Sequence, residues 1–388
     1  MTKYKFYSTV DRGLEDLVIN DLKEIFNIDA YKLKFMGKVF YEGDEDLLYL
    51  LNFSARMINR VIILLEHIEG IKSLSDIEKY VKKIDFTNYI EKDQTFAIKA
   101  NRIGRHNFTS LDIARVSGKA VIENYIDSTN TRLRVDLKKP EVIIYVEVIE
   151  DNLLIGIDTS GLSLHIRRYR RYNHPMPLKT TIAYLLVRLI GWDKRKKLLD
   201  PTCGSGTIPI EAAHFLRKIP ICMFRGKNEY ALYKLRFLDI NRAEKICDKL
   251  IQDVRFEERS EIFGVDINED HVEGAKINAE YAKVKDTINF ITGDAMELAK
   301  YFPQKDIEMI VTNPPYQLSD RNYLKKFYQK FIFSMNNVLL DDGKVAMITS
   351  EDKLVRSSLE GSKLKILSMR KIPYGSLMVS IFLMGKSL

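Results

Sequence analysis

A chain of 388 residues is longer than one hydrophobic core usually serves, so two or three domains are expected. Its 46% apolar and 29% charged residues exclude a disordered protein, and no run of about 18 apolar residues offers a membrane span. The formal charge of +8 suggests an acidic partner, and where the bases lie matters more than their number. Met1 to Phe6 lacks a signal-peptide pattern, and Cys203, Cys222 and Cys247 are too few and too far apart for a zinc knot or disulfide frame. A reduced, cytoplasmic setting is expected.

Tyr4 and Phe6 alternate with lysines, as in a half-buried strand, and Leu14, Leu17, Val18, Leu22, Ile25 and Phe26 then recur at helical spacing. A strand is expected over Leu33 to Tyr41, with Leu33, Phe35, Val39 and Tyr41 on one face. A helix over Leu47 to Asn59 and a strand over Arg60 to Ile68 complete a β-α-β-α-β order that suits a small ferredoxin-like domain, residues 1–68. Ser75 to Ile84 predicts another helix and Thr95 to Asn101 a strand. The polar, basic loop Arg102-Ile103-Gly104-Arg105-His106 leads to Ser110, a candidate N-cap. The helix from Leu111 to Ile126 turns Ile113, Val116 and Ala120 inward and Arg115 and Lys119 outward. Strands over Arg132 to Leu137, Val142 to Ile149 and Leu153 to Asp158 follow.

From Thr159 to Trp192 there is no acid, while Arg167, Arg168, Arg170 and Arg171 cluster with Tyr169 and Tyr172 between them. A run of bases is usually a solvated face. Here the acid-free length, the arginine preference and the interleaved aromatics favour a phosphate-contacting linker, residues 161–177.

Lys197 to Thr207 reads as a strand, a glycine loop and the start of a helix. Gly204 and Gly206 permit positive φ and close backbone approach to a ligand across the strand end. A phosphate-binding loop would need a Gly-Lys-Ser/Thr ending that is missing. Lys218 to Glu261 is mixed in charge and helix-like, and reads as an insertion. Ile262 to Asn268 is a strand ending in Asp266, an acid suited to two ribose hydroxyls. Ile288 to Ala295 ends in Asp294, placed to accept from an adenine amino group. Ile307 to Val311 leads into Asn313-Pro314-Pro315-Tyr316. By itself that tetrapeptide could be a turn. It also suits methyl transfer onto an exocyclic amino nitrogen, whose lone pair is delocalised into an aromatic ring. The Asn313 side-chain oxygen and the Pro314 carbonyl can accept its two N–H bonds while Tyr316 stacks on the base. The order of these four strand ends makes the pattern specific. No histidine spacing suggests a metal site; His106 and His165 lie in basic loops suited to RNA, whereas His214 and His271 read as structural.

With these motifs in order, residues 178–388 resemble a class I, Rossmann-like methyltransferase that uses S-adenosylmethionine (SAM), of the amino-methylating kind. The resemblance implies that Asp200, Gly204 and Gly206 line the methionine end, Asp266 the ribose, Asp294 the adenine, and Asn313, Pro314, Pro315 and Tyr316 the target base; Thr202, Thr207, Ile267, Ala295 and Asn313 are expected among the cofactor contacts too. The first half resembles a THUMP RNA-binding module (residues 69–160) behind a ferredoxin-like domain, through the Arg102 to His106 loop, Ser117-Gly118-Lys119 and the closing hairpin from Val142 to Asp158. That likeness implies RNA contacts at Arg102, Arg105, His106, Arg115 and Lys119, joined by the four clustered arginines. The expected architecture is α/β, with α+β modules ahead of a methyltransferase domain that carries an insertion at 218–261.

The family with this layout methylates N2 of guanosine 6 in tRNA. Relatives act on guanosine 10 or on large-subunit ribosomal RNA. DNA adenine-N6 or protein-glutamine methylation would suit Asn-Pro-Pro-Tyr too, but the RNA-type first half argues against each. A binding module with an inactive catalytic half is disfavoured by the intact glycine loop and tetrapeptide. The expected partner is tRNA, with SAM as cofactor, no metal, no membrane and a monomeric state.

Overall fold

The computed structural model describes residues 3–34, 37–316 and 319–386. The first half runs β1 (Tyr4–Thr9), α1 (Glu15–Phe26), β2 (Lys38–Gly43), α2 (Glu45–Ser54), β3 (Arg60–Ile68), α3 (Leu74–Val81), β4 (Thr95–Ile103), α4 (Ser110–Thr129), β5 (Arg134–Val135), β6 (Val142–Ile149) and β7 (Asn152–Asp158). The second half runs α5 (Thr180–Leu189), β8 (Leu198–Asp200), α6 (Thr207–Arg217), α7 (Ile240–Gln252), β9 (Ile262–Asp266), α8 (Glu269–Tyr281), β10 (Ile288–Thr292), β11 (Ile307–Thr312), α9 (Arg321–Val338), β12 (Leu339–Thr349), α10 (Asp352–Ser358), β13 (Leu364–Tyr374) and β14 (Leu377–Lys386). The chain divides into two compact units. One comprises Met1–Val10, Leu22–Leu164 and Ile221–Ile251; the other comprises Asp11–Asp21, His165–Pro220 and Gln252–Leu388.

The first unit is built on one seven-stranded sheet of order β2-β1-β3-β7-β6-β4-β5. The β-α-β-α-β segment of residues 4–68 joins the rest through antiparallel β3–β7 pairing, with Ile63 opposite Ile157. The strand expected over Leu33 to Tyr41 begins only at Lys38, after Gly37 at φ +92°, a backbone turn that breaks a pleated strand. Tyr31 reaches it through a single bridge to Phe40, and Phe35 lies outside the described residues. The N-cap of α4 is Thr109, not Ser110. Thr109 accepts from the Asp112 N–H while the Asp112 carboxylate accepts from the Thr109 N–H, a reciprocal cap. Across β1, β2, β4 and β6, buried Glu147 accepts from Lys38 (2.8 Å), Tyr7 (2.7 Å) and Asn101 (3.2 Å). Breaking such a buried pair by removing one partner is costly, so it holds these strands in register.

The inserted stretch 221–251 belongs to this first unit. Arg236 pairs with Asp93 at 2.8 Å, the Gln94 amide donates to the Lys234 carbonyl, and Tyr230 packs edge-on against Phe53. Cys222 and Cys247, far apart in sequence, meet here, with Cys222 Sγ 3.9 Å from the Cys247 carbonyl oxygen.

The second unit holds a seven-stranded sheet of order β10-β9-β8-β11-β12-β14-β13, parallel except for β14, which runs antiparallel to both neighbours. Such a sheet is covered by helices on both faces, so its strands read as apolar runs. On one face α9 buries Leu324, Phe327, Phe331, Met335 and Val338, at helical spacing, in a core with Ile310, Val345 and Met347. Asp11–Asp21 is part of this unit: Asp11 pairs with Lys179 (2.6 Å), Asp16 with Arg370 (2.8 Å), and Asp21 accepts from Tyr184 (2.9 Å). In chain order the sheet starts at its centre, at β8, and winds outward through β9 and β10 before reversing to β11 on the other side. The crevice at such a reversal, beyond the carboxyl ends of the strands, is where ligands bind in doubly wound sheets.

Candidate active site

The four strand ends singled out in the sequence converge on one cavity of about 370 Å³. Asp200, Thr202, Gly204 and Thr207 line it from the β8 loop, Asp266 and Ile267 from β9, Asp294 and Ala295 from β10, and Asn313, Pro314, Pro315 and Tyr316 from β11. Gly206 stands behind the wall. At φ +79° it lets α6 start close to the sheet, where an added Cβ would lie 3.1 Å from both Ala275 and Phe290.

Asp200 ends β8 only 2% exposed. Burial pushes its carboxyl up to about 8, against hydrogen bonds from the Thr202 N–H and the Thr312 hydroxyl and with Asp266 adding to the rise. An acid this dry keeps its proton at neutral pH, and a cationic ligand group placed beside it would favour loss of that proton to solvent. Cys203 is buried beside it, and burial, followed by the charges of Asp200 and Asp266, drives its thiol far above the ordinary range. A thiol held so is no nucleophile.

The Gly204 N–H, at φ +50°, donates to Asp266 Oδ2 at 2.9 Å, which fastens the glycine loop to the end of β9. The other oxygen accepts from the Asn268 N–H at 3.0 Å and lies 3.2 Å from His271 Nδ1. Asp294 caps the turn after β10 by accepting from the Met296 N–H at 2.8 Å. Ile267 is 67% exposed at the cavity, an apolar surface suited to a planar ring.

Asn313 follows β11, and its side-chain oxygen is buried with no hydrogen-bond partner among the described residues. A buried acceptor left unpaired is expensive, and this one stands at the cavity wall, where a donor from outside the chain could reach it. The Pro315 carbonyl is engaged, accepting from Tyr328 Oη at 3.3 Å. Tyr316 is 6% exposed, and burial, with Tyr374 nearby, raises its phenol, so the ring stays neutral.

The arginine cluster splits. Arg167 is buried in an ion pair with Glu211, which also accepts from Tyr169. Arg170 donates to the Leu178 carbonyl (2.7 Å) and to the Thr207 hydroxyl (2.9 Å). Arg168 and Arg171 are exposed, and Arg171 lies over the Tyr281 ring at 4.7 Å. His165 is half-buried, and burial with Lys179 beside it lowers its imidazole to about 4, so it is neutral. In the first unit Arg105 is exposed and His106 Nε2 lies 2.6 Å from the Glu150 carbonyl oxygen, while Arg102 donates to the Gly104 carbonyl. Arg105 and His106 share an open hollow with Lys72 and Asn107. Arg115 and Lys119 face outward on α4, but each has an acid beside it, Asp112 at 3.3 Å and Glu78 at 3.0 Å.

Several wall residues escaped sequence reasoning. His271, which reads as structural, lines the cavity beside Asp266, and its position five residues after a strand-end acid was the available signal. His174, Met176 and Leu178 come from the acid-free stretch, and Tyr323 and Phe327 from α9. Nothing in their local pattern announces a ligand. Among the described residues no group of three or more His, Cys, Asp or Glu is placed to hold a metal, and no helix is long and apolar enough to cross a membrane.

These residues suit SAM as cofactor: an acid for a cationic end, a glycine loop for close approach, a second acid, and an apolar wall. Comparison with known proteins agrees. Residues 167–380 match the family described as RMKL-like, methyltransferase domain, and residues 72–158 match the THUMP domain. The tRNA (guanine(6)-N2)-methyltransferase of Methanocaldococcus jannaschii is 40% identical over 97% of this chain and 98% of its own length. The enzyme of the same name from Archaeoglobus fulgidus is 34% identical over 97% of this chain and 91% of its own. Among solved structures, a protein from Clostridium difficile 630 described as a possible methylase superposes with a TM-score of 0.88 at 27% identity, covering 100% of this chain and 99% of that one. TrmN from Thermus thermophilus shares the fold, with a TM-score of 0.74 at 23% identity and complete coverage of both chains. The chain thus belongs to the RMKL-like family of SAM-dependent methyltransferases, in a form that carries a THUMP domain.

Proposed function

We infer that this enzyme methylates the exocyclic N2 of a guanosine in tRNA, at position 6. The observation that carries the reading is the buried, unpartnered Asn313 side-chain oxygen at the cavity wall. Near-full-length likeness to two enzymes named for guanine-6 N2 methylation supports the substrate. Bound SAM would supply an electrophilic methyl group. Asp200 and the Gly204 loop hold its amino-acid end, Asp266 the ribose, and Asp294 with Ile267 and Ala295 the adenine. Asn313 and the Pro314 carbonyl accept the two N–H bonds of the target amino group and turn its lone pair toward the methyl group. Tyr316 backs the base. No strong base is required, because the nitrogen can lose its proton during or after transfer; positioning supplies the catalysis. The target base must leave its helix, which costs a few kcal/mol that RNA contacts elsewhere can offset. Residues 69–160, as a THUMP module behind the ferredoxin-like residues 1–68, supply such contacts through Arg102, Arg105 and His106, and Arg168 and Arg171 add theirs in the second unit.

The test is to incubate unmodified tRNA with enzyme and labelled SAM, digest it site by site, and identify the modified nucleoside by mass. N2-methylguanosine at position 6 is expected. A methyl group on another guanosine, or on adenine, would overturn the assignment.

A further inference from the structure

The segment carrying Arg171 is tied along one face of α8. His271, Gly274, Asn278 and Tyr281 recur at helical spacing and so share that face. Each meets the segment 171–174. His271 stacks edge-on with His174 at 4.4 Å. Gly274 lies under Tyr172, so closely that an added Cβ would come within 2.2 Å of the ring. Tyr281 supports the Arg171 guanidinium at 4.7 Å. Asn278 is fully buried, and its amide oxygen accepts from the N–H groups of Arg171 (2.7 Å) and Tyr172 (2.9 Å). Its amide nitrogen donates to the Tyr172 carbonyl at 3.0 Å and to the Ser205 carbonyl at 3.1 Å. An asparagine side chain can make four such bonds, and all four are made.

Ser205 is the middle of the glycine loop, between Gly204 and Gly206. One buried side chain therefore holds the backbone of the arginine segment and the backbone of the cofactor loop together. Two further ties run in parallel. The Arg170 guanidinium reaches Thr207, and the His174 ring lies where a Cβ on Gly204 would meet it at 3.3 Å. An arrangement that orders Arg171 against phosphate also orders Ser205, and one that orders the loop around a cofactor also orders Arg171.

We propose that Asn278 is a positioning residue that couples the two binding events, so that tRNA and the cofactor each tighten the other's binding. This rests on the reading of the cavity as the SAM site and of Arg168 and Arg171 as tRNA contacts. Coupling between two sites is reciprocal by thermodynamic necessity, so it can be read from either side.

The experiment measures the dissociation constant of S-adenosylhomocysteine, which cannot turn over, with and without saturating tRNA, and of tRNA with and without saturating S-adenosylhomocysteine. The wild type should show the same ratio from both sides, at least about fivefold. In Asn278→Ala the ratio should fall toward one. A residue that merely stabilised the fold would weaken both affinities and leave their ratio unchanged, and that result would overturn the proposal. Should Asn278→Ala not fold, Tyr281→Ala is the second probe, since Tyr281 is about half exposed and supports Arg171; it should reduce the ratio at least about twofold. An undiminished ratio in Tyr281→Ala would also count against coupling through this face. A wild-type ratio of one, with both ligands bound, sinks the coupling and leaves the site intact. Failure of the wild type to bind S-adenosylhomocysteine at all sinks the site itself.

Discussion

The cavity wall and the arginine segment both belong to the second unit, yet they use buried polar groups in opposite ways. At the wall, Asp200 and the Asn313 oxygen are both dry: burial holds the first protonated despite its bonds from Thr202 and Thr312, and the second has no partner among the described residues. In the arginine segment, buried Arg167 is committed to Glu211, and Arg170 to Thr207 and Leu178. A buried acceptor without a partner is costly until a donor reaches it, whereas a buried cation paired with an acid serves the architecture. The exposed members of the run are Arg168 and Arg171, and the proposed contacts to nucleic acid fall to them. Type and spacing of residues are shared signals; burial and pairing separate the roles.

The sharpest way to break this contrast is Asn313→Ala. It should leave cofactor binding nearly intact and slow methylation by at least about 100-fold, because orientation is lost only at the reacting nitrogen. Single-turnover rates near wild type with saturating tRNA would show that the unpaired oxygen is incidental. Asp266→Ala comes next. It removes a charged acceptor worth roughly 1.5–3 kcal/mol, so SAM affinity should fall about ten- to a hundredfold in calorimetric titration. Unchanged affinity would remove Asp266 from the cofactor's contacts and leave it its bonds to Gly204 and Asn268.

Asp200 makes the contrast depend on pH. Its carboxyl, at about 8, keeps its proton in mildly acidic solution, and a cationic amino-acid end favours the ionised form. SAM affinity should therefore rise between pH 5 and 7 by up to about tenfold per pH unit. Asp200→Asn should flatten that slope. An identical pH profile in both proteins would place the proton elsewhere. The smallest effect belongs to the arginines. Replacing Arg168 and Arg171 with Ser should flatten the log–log salt dependence of tRNA binding by up to about 1.8, at ~0.9 per lost duplex contact. Replacing Arg167 and Arg170 should instead lower thermal stability and leave the salt slope alone. Equal slopes in the two double variants would erase the distinction between inward and outward arginines.

Much of the cavity lining, with Gly206 behind it, was legible in the sequence. Asp200, Gly204, Gly206, Asp266, Asp294 and Asn313 are local signals, each at the end of an apolar strand, and strand ends at a topological reversal are where such a sheet binds ligands. The strand from Arg60 to Ile68 was likewise legible, because β-branched and apolar residues dominate it. Errors came where a local cue competed with backbone geometry. Gly37 breaks the second strand, and Thr109 displaces Ser110 as cap because only Thr109 stands three residues before an acid.

By itself, then, the sequence determined the cofactor and the reaction, since both depend on short motifs that carry their own chemistry in a set order. What only the tertiary structure decided is partnership between distant residues. The inserted stretch 221–251 belongs with the first unit and Asp11–Asp21 with the second, so neither unit is one continuous length of chain. Arg167 turned inward because Glu211 stands 44 residues away in sequence, and Asn278 gained its four bonds from two separate loops. Periodicity records how a residue relates to its own helix or strand; it holds no record of which other segment will satisfy a buried hydrogen bond or charge.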